Sequence, residues 1–134
     1  MARKTKTYVV SAAGRDQGKT FVITEMSAIR AEAWAIRALL ALVKNGAQMP
    51  DGFEQSGLAG LAQIGLEGLA GLEYKDAAPL LAEMMSCVAI QCDPSRPNFT
   101  RTLIDDDIEE VKTLVALKAE VWSLHTDFLQ SAAS

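Results

Sequence analysis

Residues 13–20 (AGRDQGKT) come closest, by residue type and spacing, to known site chemistry. They match a loose phosphate-loop pattern, with alanine at the first glycine position and Gly18, Lys19 and Thr20 at its end. In a phosphate loop the bound phosphate lies on the N-terminus of a helix that follows directly. Here residues 21–24 (FVIT) follow, and such β-branched and aromatic residues are typical of a strand. The segment therefore predicts a hairpin turn and no nucleotide site.

Acidic residues cluster at Asp105, Asp106, Asp107, Glu109 and Glu110, and carboxylates are the ligands that divalent cations prefer. Calcium loops place such carboxylates at spaced positions around a turn glycine, and this cluster contains no glycine. Acidic residues also favour the positive end of a helix dipole. The cluster therefore indicates the start of a helix, and no metal site is predicted.

His125 is the only histidine of the chain, so any histidine-dependent chemistry would have to use it. Ser123 and Asp127 lie two residues from it, a spacing at which helix side chains do not face each other, so neither is placed as the partner of a catalytic triad. Cys87 and Cys92 lie five residues apart and would not face one another on a helix, which makes a zinc site improbable. We interpret His125 as a structural residue, and we expect neither catalytic residues nor a cofactor.

The elements that must position these residues follow from hydrophobic periodicity, turn residues and caps. Residues 5–11 (TKTYVVS) and 20–24 (TFVIT) are two strand-like runs across a polar turn, which is typical of a β-hairpin. The fold class is mainly α (α+β), with about four helices, an N-terminal β-hairpin and a candidate short third strand. The predicted elements of a single domain over 1–134 are the hairpin over 1–26, a helix over 27–46, a weak glycine- and leucine-rich helix over 57–72, a helix over 76–92, the candidate strand over 99–103 and a C-terminal helix over 105–130.

The helix over 27–46 is unusually apolar. Ser27 suits its N-cap, and Arg30, Arg37 and Lys44, which are seven residues apart, mark one narrow polar stripe. Apolar residues wrap most of the remaining circumference. Such a helix is either central to a core or shared with another chain.

Two further segments offer apolar surface to a partner. In residues 57–72 (GLAGLAQIGLEGLAGL) the glycines allow close approach of another backbone, although each interior glycine costs a helix about 1 kcal/mol relative to alanine. A closely packed core helix and a flexible lid are the alternatives for this segment. The C-terminal helix carries a wide apolar stripe that can seat it on a core. The predicted partner-binding residues are Leu58, Leu61, Ile64, Leu66, Leu69, Leu72, Leu117, Val121, Leu124 and Phe128.

The formal net charge of −4 is unevenly distributed. Residues 1–24 carry five basic residues and one acidic residue, whereas residues 93–127 carry eight acidic and four basic residues. We prefer to interpret this as solvated surface with a basic tail; the alternative is attraction between the two ends, within or between protomers. A net acidic chain with a short basic arm is a poor nucleic-acid binder. No run reaches the roughly 18 apolar residues of a transmembrane helix, so no membrane partner is expected.

Taken along its length, the chain resembles the small tail assembly chaperones of long-tailed phages and prophages. The resemblance spans the whole chain in order and depends on no single diagnostic motif. The matching residues are 14–16 (GRD), 18–19 (GK), 21–26 (FVITEM), 31–32 (AE), 34–35 (WA), 37–39 (RAL), 106–111 (DDIEEV), Leu117, 120–121 (EV), 124–126 (LHT) and Phe128.

The resemblance implies an assembly function in the cytoplasm of the bacterial host. Such a chain would coat the long, aggregation-prone tape-measure protein before tail-tube subunits polymerise around it, and a frameshifted longer form would recruit the tube protein. It would also form homo-oligomers. The alternatives are a structural virion protein, such as a tail-completion or connector subunit, and a small phage regulatory protein that binds a host factor.

Overall fold

The structure is a computed structural model that describes residues 3–46, 66–93, 95–96 and 98–133. Within these ranges the chain forms three α-helices, four β-strands and two 3-10 segments. The strands are β1 (Thr5–Val9), β2 (Thr20–Thr24), β3 (Val88–Gln91) and β4 (Thr100–Thr102), the helices are α1 (Ala28–Lys44), α2 (Tyr74–Met85) and α3 (Val111–Ala133), and the 3-10 segments are Leu66–Gly71 and Asp105–Asp107.

The chain divides into two compact units. The sheet unit comprises Met1–Glu25 and Met84–Leu124, and the helical unit comprises Met26–Glu83 and His125–Ser134. The single domain over 1–134 stays a prediction.

The sheet unit contains a four-stranded antiparallel sheet in the order β1-β2-β3-β4. Strands β1 and β2 form the hairpin, with Tyr8 opposite Phe21. In the connecting turn Gly18 has a φ of +87°, a conformation that glycine adopts without the steric cost of a Cβ atom. Its amide donates to the Val10 carbonyl at 2.8 Å, which closes the loop at the base of the hairpin.

The prediction of about four helices with a hairpin and a short third strand is wrong, because the described residues form three helices and a four-stranded sheet. The missed element is β3, which the sequence assigns to the end of the helix over 76–92. Residues 84–90 (MMSCVAI) are almost all apolar, so periodicity does not distinguish a buried strand from a buried helix there. Pairing with β2 on one side and with β4 on the other stabilises Val88–Gln91 as a strand.

Alternation along the strands directs one face of the sheet to the core of the sheet unit. Phe21 and Ile23 on β2 are fully buried, and Val88 and Ile90 on β3 are buried beside them in register. Leu117 and Val121 on α3 are equally buried in the same unit. An ion pair between Lys6 and Glu120 joins β1 to α3.

The helical unit is built on α1 and α2. Ser27 caps α1 through its hydroxyl, which accepts from the amide of Arg30 at 3.3 Å, and Asn45 follows its last residue. The indole nitrogen of Trp34 donates to the Leu80 carbonyl of α2 at 3.0 Å, and both residues are buried. Pro79 lies inside α2.

The glycine- and leucine-rich segment predicted over 57–72 lies mostly outside the described residues. Its last part forms the 3-10 segment Leu66–Gly71 rather than an α-helix. In the described residues, no helix combines the length and the apolar character that a membrane crossing needs.

Candidate functional site

The turn over residues 13–20 is organised around a buried carboxylate. The Asp16 side chain is 1% exposed and accepts from the amide of Glu109 at 2.9 Å, the amide of Glu110 at 3.0 Å and the hydroxyl of Thr113 at 2.7 Å. Glu109 and Glu110 directly precede α3, and Thr113 lies in its first turn. Asp16 therefore fastens the start of the C-terminal helix to the turn over residues 13–20. Strand β2 begins at Thr20, where a phosphate loop would continue as a helix.

Residues next to Asp16 form further hydrogen bonds between the same turn and the residues just before α3. Lys19 donates to Asp16 at 3.0 Å and to the carbonyl of Asp107 at 2.8 Å. Gly14 has a φ of +150°, a backbone angle that favours glycine. The Oε1 atom of Glu110 lies close to Gly14 and accepts from the amide of Arg15 at 2.7 Å. The backbone angle is therefore the reason for the glycine, and a side chain there would also displace the Glu110 carboxylate.

These contacts shift the pKa values of Asp16 and Lys19. Burial by itself would raise the pKa of the Asp16 carboxyl, but hydrogen bonds from Thr113, from the amides of Glu109 and Glu110 and from Lys19 outweigh it and hold the pKa well below its ordinary value of 3.8. The hydrogen bond to Asp16 raises the pKa of the Lys19 ammonium, while burial lowers it. Both groups are therefore charged throughout the neutral range.

The acidic cluster is also held by internal contacts. Two nitrogens of the Arg101 guanidinium each donate to one oxygen of Asp107 at 2.7 Å, and the Asp107 carboxylate accepts from the amide of Ile104 at 2.8 Å. This bidentate geometry is the strongest form of the arginine–carboxylate pair. Helix α3 begins at Val111 rather than at residue 105 as predicted, and Asp105 lies in the preceding 3-10 segment. Among the residues described, no three histidine, cysteine, aspartate or glutamate side chains are grouped so that they could hold a metal ion.

We expect the free energy of unfolding to fall as the pH is lowered below about 4. The pKa of Asp16 is depressed in the folded state, and hydrogen bonding to Arg101 likewise lowers the pKa of Asp107. Groups with a depressed folded pKa contribute stability above their unfolded value of 3.8 and lose it as the pH falls through the folded value. Urea unfolding between pH 7 and pH 2.5 measures this, and Asp16→Asn should flatten the profile. An identical pH profile in the variant would contradict the assignment.

A cleft of about 470 Å³ opens in the sheet unit beside Lys19 and Arg101. Its two cations are the Lys19 and Arg101 side chains, which are paired with Asp16 and Asp107. The cleft therefore presents little net positive charge. Its lining residues are Gln17, Gly18, Lys19, Thr20, Ile90, Gln91, Cys92 and Arg101.

His125 is buried in the helical unit, where its Nε2 atom accepts from the backbone amide of Met26 at 2.8 Å. A nitrogen that accepts from an amide carries no proton and is occupied by that bond. The contact is that of a structural histidine.

Helix α1 carries a group of exposed apolar side chains in the described part of the helical unit. Its exposed large side chains are Ile29, Ile36, Leu40 and Val43, whose exposed fractions are 84%, 37%, 54% and 43%. Together with the exposed Ala33 they alternate four and three residues apart, so they form one continuous line along the helix. We call these five residues the apolar stripe.

The opposite side of α1 is buried and anchors the helix. Its buried residues are Trp34, Ala35, Ala38, Leu39 and Leu42. An ordinary amphipathic helix has one apolar face towards the core and a polar face towards solvent. Helix α1 instead has two apolar faces, one covered by its own unit and one open to solvent.

Three cations separate the two apolar faces on one side of α1. Arg30 and Arg37 both pair with Glu83 of α2, Arg30 at 3.7 Å, and Lys44 pairs with Asp76 at 3.3 Å. We call Arg30, Arg37 and Lys44 the cation row. The row joins α1 to α2 and borders the whole length of the apolar stripe.

The predicted partner-binding residues that the structure describes belong to both units. Leu117 and Val121 are buried in the sheet unit and Leu124 is half-buried there, while Leu69 is buried and Leu72 half-buried in the helical unit. Their role in binding stays a prediction. Leu58, Leu61 and Ile64, and the side chains of Leu66 and Phe128, lie outside the described residues.

The apolar stripe could have been predicted from the sequence. A single core-facing stripe needs little more than 100° of a helix, whereas one narrow polar stripe at Arg30, Arg37 and Lys44 leaves far more of the circumference apolar. That excess indicates a second apolar face. Periodicity alone does not say which of the two faces the chain itself covers.

Comparison of the chain with protein-family models, with curated proteins and with solved structures finds no match.

Proposed function

We propose that the chain is a non-enzymatic assembly chaperone that binds the tape-measure protein during phage tail morphogenesis, in the cytoplasm of the bacterial host. The observation that carries this proposal is the apolar stripe on α1. A chaperone for a long helical client needs apolar helix surface that its own fold leaves open, and recognition of one helix by another uses such i, i+3, i+4 and i+7 anchors.

Two features of α1 suit this role. Its buried face and the Trp34–Leu80 hydrogen bond hold the helix in place, so a client would meet a surface that is already ordered. The apolar stripe is also exposed along the length of α1, from Ile29 to Val43, so it offers a client helix a continuous line of contacts.

Co-expression with the tape-measure protein of the same genome tests the proposal. We expect the wild-type chain to raise the soluble fraction of the tape-measure protein several-fold, and the double variant Ile36→Glu/Leu40→Glu to lose this effect. Tyr74→Glu is the matched control, because Tyr74 is an exposed large side chain of the same unit outside the apolar stripe. Circular dichroism melting should show that all three proteins are folded at the assay temperature, because none of the substituted side chains is buried.

A different outcome would count against the chaperone function. If the wild-type chain leaves the tape-measure protein insoluble and is itself found in purified virions, the chain is a structural virion protein instead.

A further inference from the structure

Strand β1 is an edge of the sheet, and one side of its backbone faces away from β2. The amide of Val10 donates to the Lys19 carbonyl at 3.0 Å, and the amide of Glu25 donates to the Lys4 carbonyl at 2.9 Å. Antiparallel partners alternate between residues that exchange such bonds and residues that do not. The even-numbered residues therefore bond to β2, and the backbone groups of the odd-numbered residues point outwards. The outward-facing residues of β1 are Thr5, Thr7 and Val9.

We call Thr5, Thr7 and Val9 the open edge. Within the part of the chain that the structure describes, no hydrogen bond reaches the amides or carbonyls of these three residues. All three residues are exposed, and Val9 is 53% exposed. A row of unpaired backbone donors and acceptors is a template onto which another strand can pair.

The opposite edge of the described sheet is less suited to pairing. Strand β4 has three residues, and the carbonyl of Thr102 accepts from the Arg101 guanidinium at 3.2 Å. Short strands and charged side chains are two of the devices by which proteins block an edge. Strand β1 has five residues, and neither a proline nor a bulge interrupts its pairing with β2. Of the two edges, β1 therefore offers the better pairing surface.

The open edge is complementary to itself. In an antiparallel pairing of two copies with Thr7 on the two-fold axis, Thr7 lies opposite Thr7 of the second copy, and Thr5 lies opposite its Val9. This register lets every amide and carbonyl of the open edge bond to the other copy. It also places two threonines opposite each other on the axis, which is a favourable cross-strand pair.

Charge complementarity also favours a second copy. Lysines on an edge strand ordinarily discourage pairing. Lys6 is the lysine of β1, and the ion pair with Glu120 of α3 compensates its charge. With Thr7 on the axis, Lys6 lies opposite Tyr8 of the second copy, so no like charges within the two strands lie directly opposite one another. The two Lys6 side chains become diagonal neighbours, and each brings its own Glu120.

From the open backbone groups and the compensated charges we infer that β1 pairs with β1 of a second copy, in an antiparallel dimer with Thr7 on its two-fold axis. The two sheets then join into one continuous antiparallel sheet. Such an interface is closed, because the same edge is used by both copies. The inference goes beyond the proposed function and does not rest on it, since it concerns the chain without a client.

A charge swap on the axis tests the inference with the full chain. Thr7→Lys and Thr7→Glu each place like charges directly opposite one another in this register, so we expect either variant to dimerise at least about tenfold more weakly than the wild-type chain. An equimolar mixture of the two variants should regain dimers, because lysine then lies opposite glutamate. Sedimentation velocity over a dilution series from about 100 μM measures each sample and the mixture.

Thr100→Lys is the matched control, because Thr100 is an exposed threonine on the opposite edge of the same sheet. It should leave the wild-type dimer unchanged. Circular dichroism melting checks that each variant is folded, which we expect because both threonines are exposed.

Amide hydrogen exchange of the wild-type chain tests the register without a substitution. The amides of the open edge should exchange more slowly at high protein concentration than at low concentration, because pairing with a second copy protects them. The amides of Lys6 and Tyr8 bond to β2, so they should be protected at both concentrations. Nuclear magnetic resonance measures the exchange rate of each amide.

A wild-type chain that is monomeric at about 100 μM would overturn the inference. The same holds for a dimer that Thr7→Lys leaves intact, and for a mixture of the two charge variants that stays monomeric. A dimer that Leu40→Glu dissociates and Thr7→Glu does not would assign the contact to the apolar stripe on α1 instead. These measurements use the chain alone, so their failure is distinct from a failure to solubilise the tape-measure protein.

Discussion

Replacing Asp16 with alanine is expected to lower the free energy of unfolding by about 3–5 kcal/mol, the cost of breaking a buried charged pair. The substitution leaves the amides of Glu109 and Glu110 and the hydroxyl of Thr113 without their acceptor, and it leaves the ammonium of Lys19 without its buried carboxylate. Each unsatisfied buried group carries a desolvation penalty. The effect is large because one side chain serves the turn and the start of α3 together.

Urea denaturation followed by circular dichroism measures this loss. Asp106→Ala is the matched control, because Asp106 is an exposed aspartate of the acidic cluster and its loss should cost about 0.5 kcal/mol or less. Asp16→Asn should fall between the two, since the amide keeps one accepting oxygen and loses the charge. A loss below about 1 kcal/mol in Asp16→Ala would show that water satisfies these donors equally well.

Leu117→Ala is the second substitution for which we expect a large effect, about 2–5 kcal/mol. Leu117 on α3 is 0% exposed, so truncation removes buried apolar surface and leaves a cavity in the core of the sheet unit. Val115→Ala is the control on the same helix, because Val115 is exposed and its truncation opens no cavity.

This pair of variants also tests the prediction that Leu117 binds a partner. If Leu117 is a core residue, Leu117→Ala should have a lower unfolding midpoint than the wild-type chain. Under conditions in which the variant is still folded, it should bind the tape-measure protein as the wild-type chain does. If Leu117→Ala instead lost binding and kept the wild-type unfolding midpoint, Leu117 would be a contact residue, and its burial in the free chain would have to open on binding.

Local signals in the sequence predicted several features of the fold. The strand-like runs around a glycine-bearing turn correspond to β1 and β2, since β-branched residues and glycine act over a few residues. Ser27 lies at the N-cap of α1 as predicted, because caps likewise depend on near neighbours. Strand β3 was missed because its pairing partners lie far away in sequence, and only they distinguish it from a helix.

The uneven charge distribution shows the same limit. The preferred interpretation was solvated surface with a basic tail, but in the sheet unit Lys19 pairs with Glu109 at 3.5 Å and Lys6 pairs with Glu120. The two ends therefore attract each other within one chain. Composition indicated opposite charges, and only the folded chain shows that they meet.

Helix α1 best separates what the sequence determined from what only the tertiary structure decided. By itself the sequence determined that one narrow row of cations leaves the rest of the helix apolar, because residue order fixes which side chains share a face. The tertiary structure decided that Trp34 and Leu39 face the core and that Ile29 and Leu40 face solvent. The physical reason is that helix periodicity is local, whereas burial depends on which distant elements pack against each face. Because the chain packs against the opposite face of α1, the apolar stripe is exposed beside the cation row.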